Sequence, residues 1–145
     1  MHNNIYVDTN IVVDMCDNKR ALHENSFEMI TNYFEQDNCE LFINSDTLAN
    51  LFYILSNRST LNAEEVLEKM QFVNEIFTLV SIESEDVSMA LGLCADNSNK
   101  YKDYEDAMQY VCALRVEADL IVTNDKGFIS LDIELYYTKN KPRKV

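Results

Sequence analysis

The chain has 145 residues, 47% of them apolar, with two glycines, one proline and a formal net charge of −13. That length holds one domain with a sizeable core, but not two. The composition excludes a disordered or low-complexity chain, and the scarcity of turn residues argues against an all-β fold.

Ile5-Tyr6-Val7 is a β-branched and aromatic run ending at Asp8, and it reads as a buried first strand. Thr9-Asn10 and the apolar Ile11-Val12-Val13 then turn the chain directly into a helix. Between Ala21 and Phe34, the residues Leu22, Phe27, Ile30 and Phe34 recur at helical spacing, and Gln36-Asp37-Asn38 ends that segment. Leu41-Phe42-Ile43 predicts a second strand. Ser45 is expected to cap the following helix, whose apolar face carries Leu48, Leu51, Phe52 and Leu55. Asn62 is expected to cap another, with Glu64 and Glu65 in its first turn and Val66, Leu67, Met70, Val73 and Phe77 at helical spacing. Phe77 to Ile82 predicts a third strand, Glu83 to Cys94 a helix, and Asp96 to Lys102 a polar connection. Tyr104 to Glu117 predicts a helix with Ala107, Tyr110, Val111 and Leu114 on one face. Leu120-Ile121-Val122 is a fourth strand, followed by a turn from Thr123 to Gly127. A short last strand is expected near Leu135 to Thr138. Residues 139–145 then form a basic tail outside a domain of residues 1–138.

Strands alternating with helices predict a single α/β domain with a mainly parallel sheet of four to five strands flanked by helices. Such sheets bind ligands beyond the carboxyl ends of their strands. Asp8 ends the first strand and Asp125 follows the fourth, so a parallel sheet brings both to one edge. Asp103 and Asp106 open the helix before the fourth strand, at a spacing that shares one helical face. Asn50 follows the second strand, one turn beyond Asp46.

Carboxylates gathered in one pocket repel each other, and a stable arrangement needs protonation or a cation. Hard oxygen donors suit Mg²⁺ or Mn²⁺, ions that polarise phosphoryl oxygens and activate water. Each acid taken singly reads first as a turn or capping residue, and Asp103 could simply cap its helix; three at sheet-edge positions together point to a shared site. No Walker loop, dinucleotide-binding glycine motif or Ser-His-Asp set offers a rival, and His2 and His23 lack suitable neighbours. Cys16, Cys39, Cys94 and Cys112 form no C-x-x-C pair and read as free thiols in a reducing cytoplasm. No signal peptide or membrane span is predicted.

Three stretches together resemble the PIN domain family. IYVDTNIVVD, from Ile5 to Asp14, is similar to the family's opening motif. Asp103-Tyr104-Glu105-Asp106-Ala107 resembles its D-x-x-D-A stretch, and LIVTNDKGF, from Leu120 to Phe128, resembles its closing strand and turn. The matches run in the right order over nearly the full chain.

The resemblance implies a Mg²⁺- or Mn²⁺-dependent endoribonuclease, of the kind that includes VapC-type toxins paired with an antitoxin. It implies that Asp8, Asp106 and Asp125 are metal-site carboxylates, with Asp103 as an added acid. Asn10 would orient the first carboxylate, Thr123 would stabilise the closing turn, and Asn124 would support the same turn. Many family members carry Glu in an L-A-E-L pattern, where this chain reads Leu48-Ala49-Asn50-Leu51. An amide binds a divalent ion less strongly than a carboxylate, so a catalytically weak or inactive module binding RNA or protein is the alternative. Asp46 is the nearest substitute acid.

The expected partners are an RNA substrate, a cognate antitoxin and a second copy of the chain, with Tyr33, Phe52 and Tyr53 as candidate surface residues. Lys19, Arg20, Arg58, Lys100, Lys102, Lys139, Lys141, Arg143 and Lys144 are the candidate phosphate contacts. A phosphoacceptor receiver domain shares the fold class and sheet-edge acids. It should show paired acids after the first strand, where this chain has Asp8-Thr9-Asn10.

Overall fold

A computed structural model describes residues 3–98 and 101–140. Alternating side chains along the first two strands explain the architecture. In β1 (Asn3–Val7), Ile5 and Val7 pack to one side and Tyr6 to the other; in β2 (Cys39–Asn44), Leu41 and Ile43 oppose Phe42 in the same way. Both sheet faces are therefore apolar and both are covered, as parallel strands require. One layer holds α1 (Thr9–Cys16), α2 (His23–Phe34), α3 (Ser45–Arg58) and α4 (Ala63–Ile76), through residues such as Ile11, Ile30, Leu51, Leu55 and Val73. The other holds α5 (Ser84–Ala95) and α6 (Tyr104–Arg115), through Ala90, Ala107, Met108 and Val111.

The remaining strands are β3 (Thr78–Val80), β4 (Leu120–Val122) and β5 (Glu134–Tyr136). All four pairings are parallel, in the order β3-β2-β1-β4-β5. The chain winds outward from β1 through β2 to β3 with helices on one face. It then crosses to β4, on the other side of β1, with helices on the opposite face. The winding reverses between β1 and β4, where open α/β sheets leave a crevice at the carboxyl ends of their strands. Register is tight there: Val7 pairs with Val122, and the Asp8 N–H donates to the Val122 carbonyl at 2.9 Å. Asp8 and the turn that carries Asp125 thereby leave the sheet at the same edge.

Several boundaries differ from the sequence expectation. Asn44, not Ser45, caps α3: its side chain accepts from the Thr47 N–H, and Ser45 is already helical. The third strand is trimmed to three residues. α6 ends at Arg115, where Glu117 takes a left-handed φ of 54° and the Ala118 N–H reaches back to the Ala113 carbonyl. β5 lies at the amino-terminal side of its expected position, and Thr138–Asn140 forms a short 3-10 turn with Thr138 fully buried. Asn62 caps α4 as expected, in a reciprocal box with Glu65. The four cysteines are free, Cys16 and Cys112 buried and the others half-buried. Among the described residues no helix is long and apolar enough to cross a membrane.

Candidate active site

Asp8 leaves β1 in an extended conformation at the start of α1, but its side chain does not cap that helix. Both carboxylate oxygens are bound by neutral donors instead. Thr123 donates its hydroxyl to Oδ2 at 2.7 Å, and Gln109 donates Nε2–H to Oδ1 at 2.8 Å. Only 2% of Asp8 is exposed. Burial pushes its carboxyl up from the usual range and the nearby Asp125 charge adds to this. The bonds from Thr123, Gln109 and the Asn10 backbone oppose it. Asn10 thus acts on Asp8 through its main chain, while its side chain is exposed on the cleft wall.

Thr123 has two tasks. Besides bonding Asp8, its hydroxyl accepts from the Asp125 N–H at 3.0 Å, and Asp125 Oδ1 accepts from the Gly127 N–H at 2.8 Å. The turn after β4 is thus locked to the acid after β1. Asn124 serves elsewhere: it donates to the Thr138 hydroxyl and accepts from the Lys139 N–H, tying down the carboxyl-terminal turn rather than the cleft.

Asp8, Asp103, Glu105, Asp106 and Asp125 line one cleft of about 300 Å³, together with Thr9, Asn10, Asn50, Tyr53, Ile54 and Arg58. Asp103 is exposed and caps α6, accepting the Asp106 N–H at 3.2 Å. It therefore sits at the helix entrance rather than on a shared helical face. Asp106, half-buried in the first turn, has its carboxyl pushed up to about 7. Burial is the largest cause, followed by the charges of Asp103, Asp8, Asp125 and Glu105. Among the described residues no three acid, His or Cys side chains converge closely enough to grip one ion as they stand. The carboxylates are spread around the wall, an arrangement that mutual repulsion favours.

The donor chemistry nevertheless fits a hard divalent cation. The donors are all oxygen, and the Asp106 carboxyl is raised first by burial and then by the negative charges of Asp103, Asp8, Asp125 and Glu105, a repulsion that a cation would offset. Among the candidate cations of the sequence, Arg58 lines the cleft, and its guanidinium makes no ion pair among the described residues. Arg20 is engaged with Asp14 at 2.7 Å, Lys139 lies over the Tyr137 ring, and Lys102 lines a separate hollow beside Tyr101. Lys100, Lys141, Arg143 and Lys144 lie outside the described residues.

Two residues in this arrangement escaped the sequence reading. Gln109 is 1% exposed; besides binding Asp8, its Oε1 accepts the Thr9 N–H at 3.0 Å. An amide within the otherwise apolar run Met108 to Ala113 was the available signal. Glu105 lies in the quoted D-x-x-D-A stretch, but its inclusion in the cleft follows from how α6 packs.

The PIN domain family model matches residues 5–134. The chain belongs to the PIN domain family. A PIN relative, Ribonuclease VapC1 of Aquifex aeolicus (strain VF5), is 31% identical over 135 residues, covering 93% of this chain and 90% of that protein. The PIN fold is repeated in solved structures at lower identity. VapC20 of Mycobacterium tuberculosis, described as a sarcin-ricin loop cleaving toxin, superposes with a TM-score of 0.71 at 11% identity, covering 86% of this chain and 92% of that one. VapBC2 of Rickettsia felis, bound to a promoter DNA fragment, gives 0.68 at 20% identity, covering 92% and 98%. PIN membership disposes of the receiver-domain alternative.

Proposed function

We propose that this PIN domain is a Mg²⁺- or Mn²⁺-dependent endoribonuclease that hydrolyses RNA phosphodiesters as the toxin of a toxin–antitoxin pair. The observation that carries the reading is the acidic cleft at the point where the sheet reverses its winding, lined by Asp8, Asp103, Asp106 and Asp125. Asp8, Asp106 and Asp125 would hold the ion, with Asp103 at its edge. The chemistry such an ion supplies is polarisation of a phosphoryl oxygen and a lowered pKa for the attacking water.

The chain's own groups prepare that site. Thr123 and Gln109 hold the Asp8 carboxylate in one orientation and, with the Asn10 amide, favour its charged form against the cost of burial. Thr123 also sets the turn that presents Asp125. Arg58 supplies a positive side chain at the wall of an otherwise acidic and neutral cleft, where it can meet an RNA phosphate. The similarity to VapC proteins, one of them in a VapBC–DNA structure, supports an antitoxin partner, and the free thiols suit the cytoplasm. Phe52 and Tyr53, 49% and 57% exposed on α3, are candidates for the surface that meets an antitoxin or a second copy.

Incubating a single-stranded RNA with the protein in Mn²⁺, with the protein in EDTA, and with Asp8→Asn in Mn²⁺ tests the reading. Cleavage is expected in the first case alone. Wild-type binding of RNA without cleavage would favour the inactive-module alternative, which draws on Asn50 standing where a carboxylate was expected.

A further inference from the structure

The buried polar contacts beneath the cleft determine what faces Asn50. Thr9 is the junction. Its hydroxyl meets the Thr47 hydroxyl of α3 at 3.0 Å, and its N–H donates to Gln109 of α6 at 3.0 Å. Thr47, Gln109 and Thr9 are all buried, so these bonds pin the amino-terminal parts of α3 and α6 against the start of α1. One helical turn from Thr47 along α3 is Asn50, and one turn before Gln109 along α6 is Glu105. Both residues are thereby brought to the cleft on either side of Thr9. A smaller hollow of about 160 Å³, lined by Asp46, Ala49 and Tyr104 among others, adjoins the acidic cleft. Thr9, Asn50 and Glu105 line both spaces and form the wall between them.

We propose that Glu105 supplies the carboxylate that Asn50 lacks, so that the divalent-ion site is completed from α6 instead of from α3. This rests on the metal-dependent reading above. The charges that act on Glu105 agree with its placement. Burial raises its carboxyl first, then Asp8 and Asp103 on the cleft side, with a smaller push from Asp46 on the other; Thr9 hydrogen bonding opposes them. Glu105 shares the cleft with Asp8, and Asn50 keeps an amide oxygen for a weaker contact. In this geometry the Asn is a relocation of charge from one helix to another rather than the loss of a ligand.

Mn²⁺ binding to the full chain, measured by calorimetry and by the signal of free Mn²⁺ in electron paramagnetic resonance, tests this without relying on activity. Glu105→Gln is expected to weaken Mn²⁺ roughly ten-fold or more. Asp46→Asn removes the same charge from the far side of Glu105 and should change affinity less than about three-fold. Adding Asn50→Glu to Glu105→Gln should recover most of the loss by returning a carboxylate to α3. Equal affinities for Glu105→Gln and Asp46→Asn overturn the proposal, as does a double variant that melts normally yet gains nothing. A Glu105→Gln protein that melts lower in EDTA also overturns it, by making Glu105 a structural residue. Failure of wild type to bind Mn²⁺ is a separate outcome: it removes the metal reading itself, and this inference with it.

Discussion

Replacing Asp106 by Asn should stabilise the metal-free protein at alkaline pH and do so less than half as much near about pH 5. The Asp106 carboxyl is pushed from 3.8 to about 7, first by burial and then by Asp103, Asp8, Asp125 and Glu105. The folded state therefore holds this proton more tightly than the unfolded chain does. Stability falls as pH rises from the unfolded value to the folded one, and the whole penalty is present above about pH 7. The displacement is roughly three pH units at about 1.4 kcal/mol each, a ceiling of ~4 kcal/mol. Asp106 is only half-buried, so solvent screening reduces that to ~1–2 kcal/mol. For a chain of this size the gain corresponds to roughly 3–6 °C in melting temperature. Thermal melts of wild type and Asp106→Asn in EDTA, at about pH 8 and about pH 5, measure it. The gain should appear in full at the higher pH and fall below half at the lower. No gain at pH 8, or an equal gain at both, would refute the account of a half-buried Asp106 crowded by like charges.

Gln109→Leu removes the donor to Asp8 and leaves the buried Thr9 N–H without its acceptor. Chemical denaturation should show a loss of ~2–3 kcal/mol, and Mn²⁺ should bind more weakly because Asp8 is harder to ionise. Glu117→Gly, at the left-handed position ending α6, should gain ~0.5–1 kcal/mol in the same assay, the relief of a non-glycine residue at positive φ offset partly by unfolded-chain entropy. An unchanged or lower midpoint would mean the Glu117 backbone is not strained.

Much of the fold was legible because both faces of its sheet are apolar. The runs Ile5 to Val7, Leu41 to Ile43 and Leu120 to Val122 needed no tertiary information, and parallel winding then placed Asp8 and Asp125 together. Helix ends were less legible. Asn44 and Ser45 are both good caps, and the choice depends on where β2 releases its backbone. The site was legible where residues follow strands and less so where helix packing decides. Asp125 and Asn124 are adjacent in sequence, yet one lines the cleft and the other ties down the Thr138 turn. Gln109 and Glu105 reach the site through the docking of α6, which includes a Thr9–Gln109 contact that spans 100 residues of sequence.

The most direct test of the central claim is single-turnover cleavage of an end-labelled single-stranded RNA in Mn²⁺. Wild type, Asp8→Asn and Asp125→Asn should be compared, each first verified as folded by its melting curve. The account predicts internal cleavage by wild type that stops in EDTA and returns with Mn²⁺, and a fall of at least about a hundred-fold in either variant, since each removes an acid assigned to the ion. Cleavage that survives EDTA, or survives in folded Asp8→Asn, would contradict it.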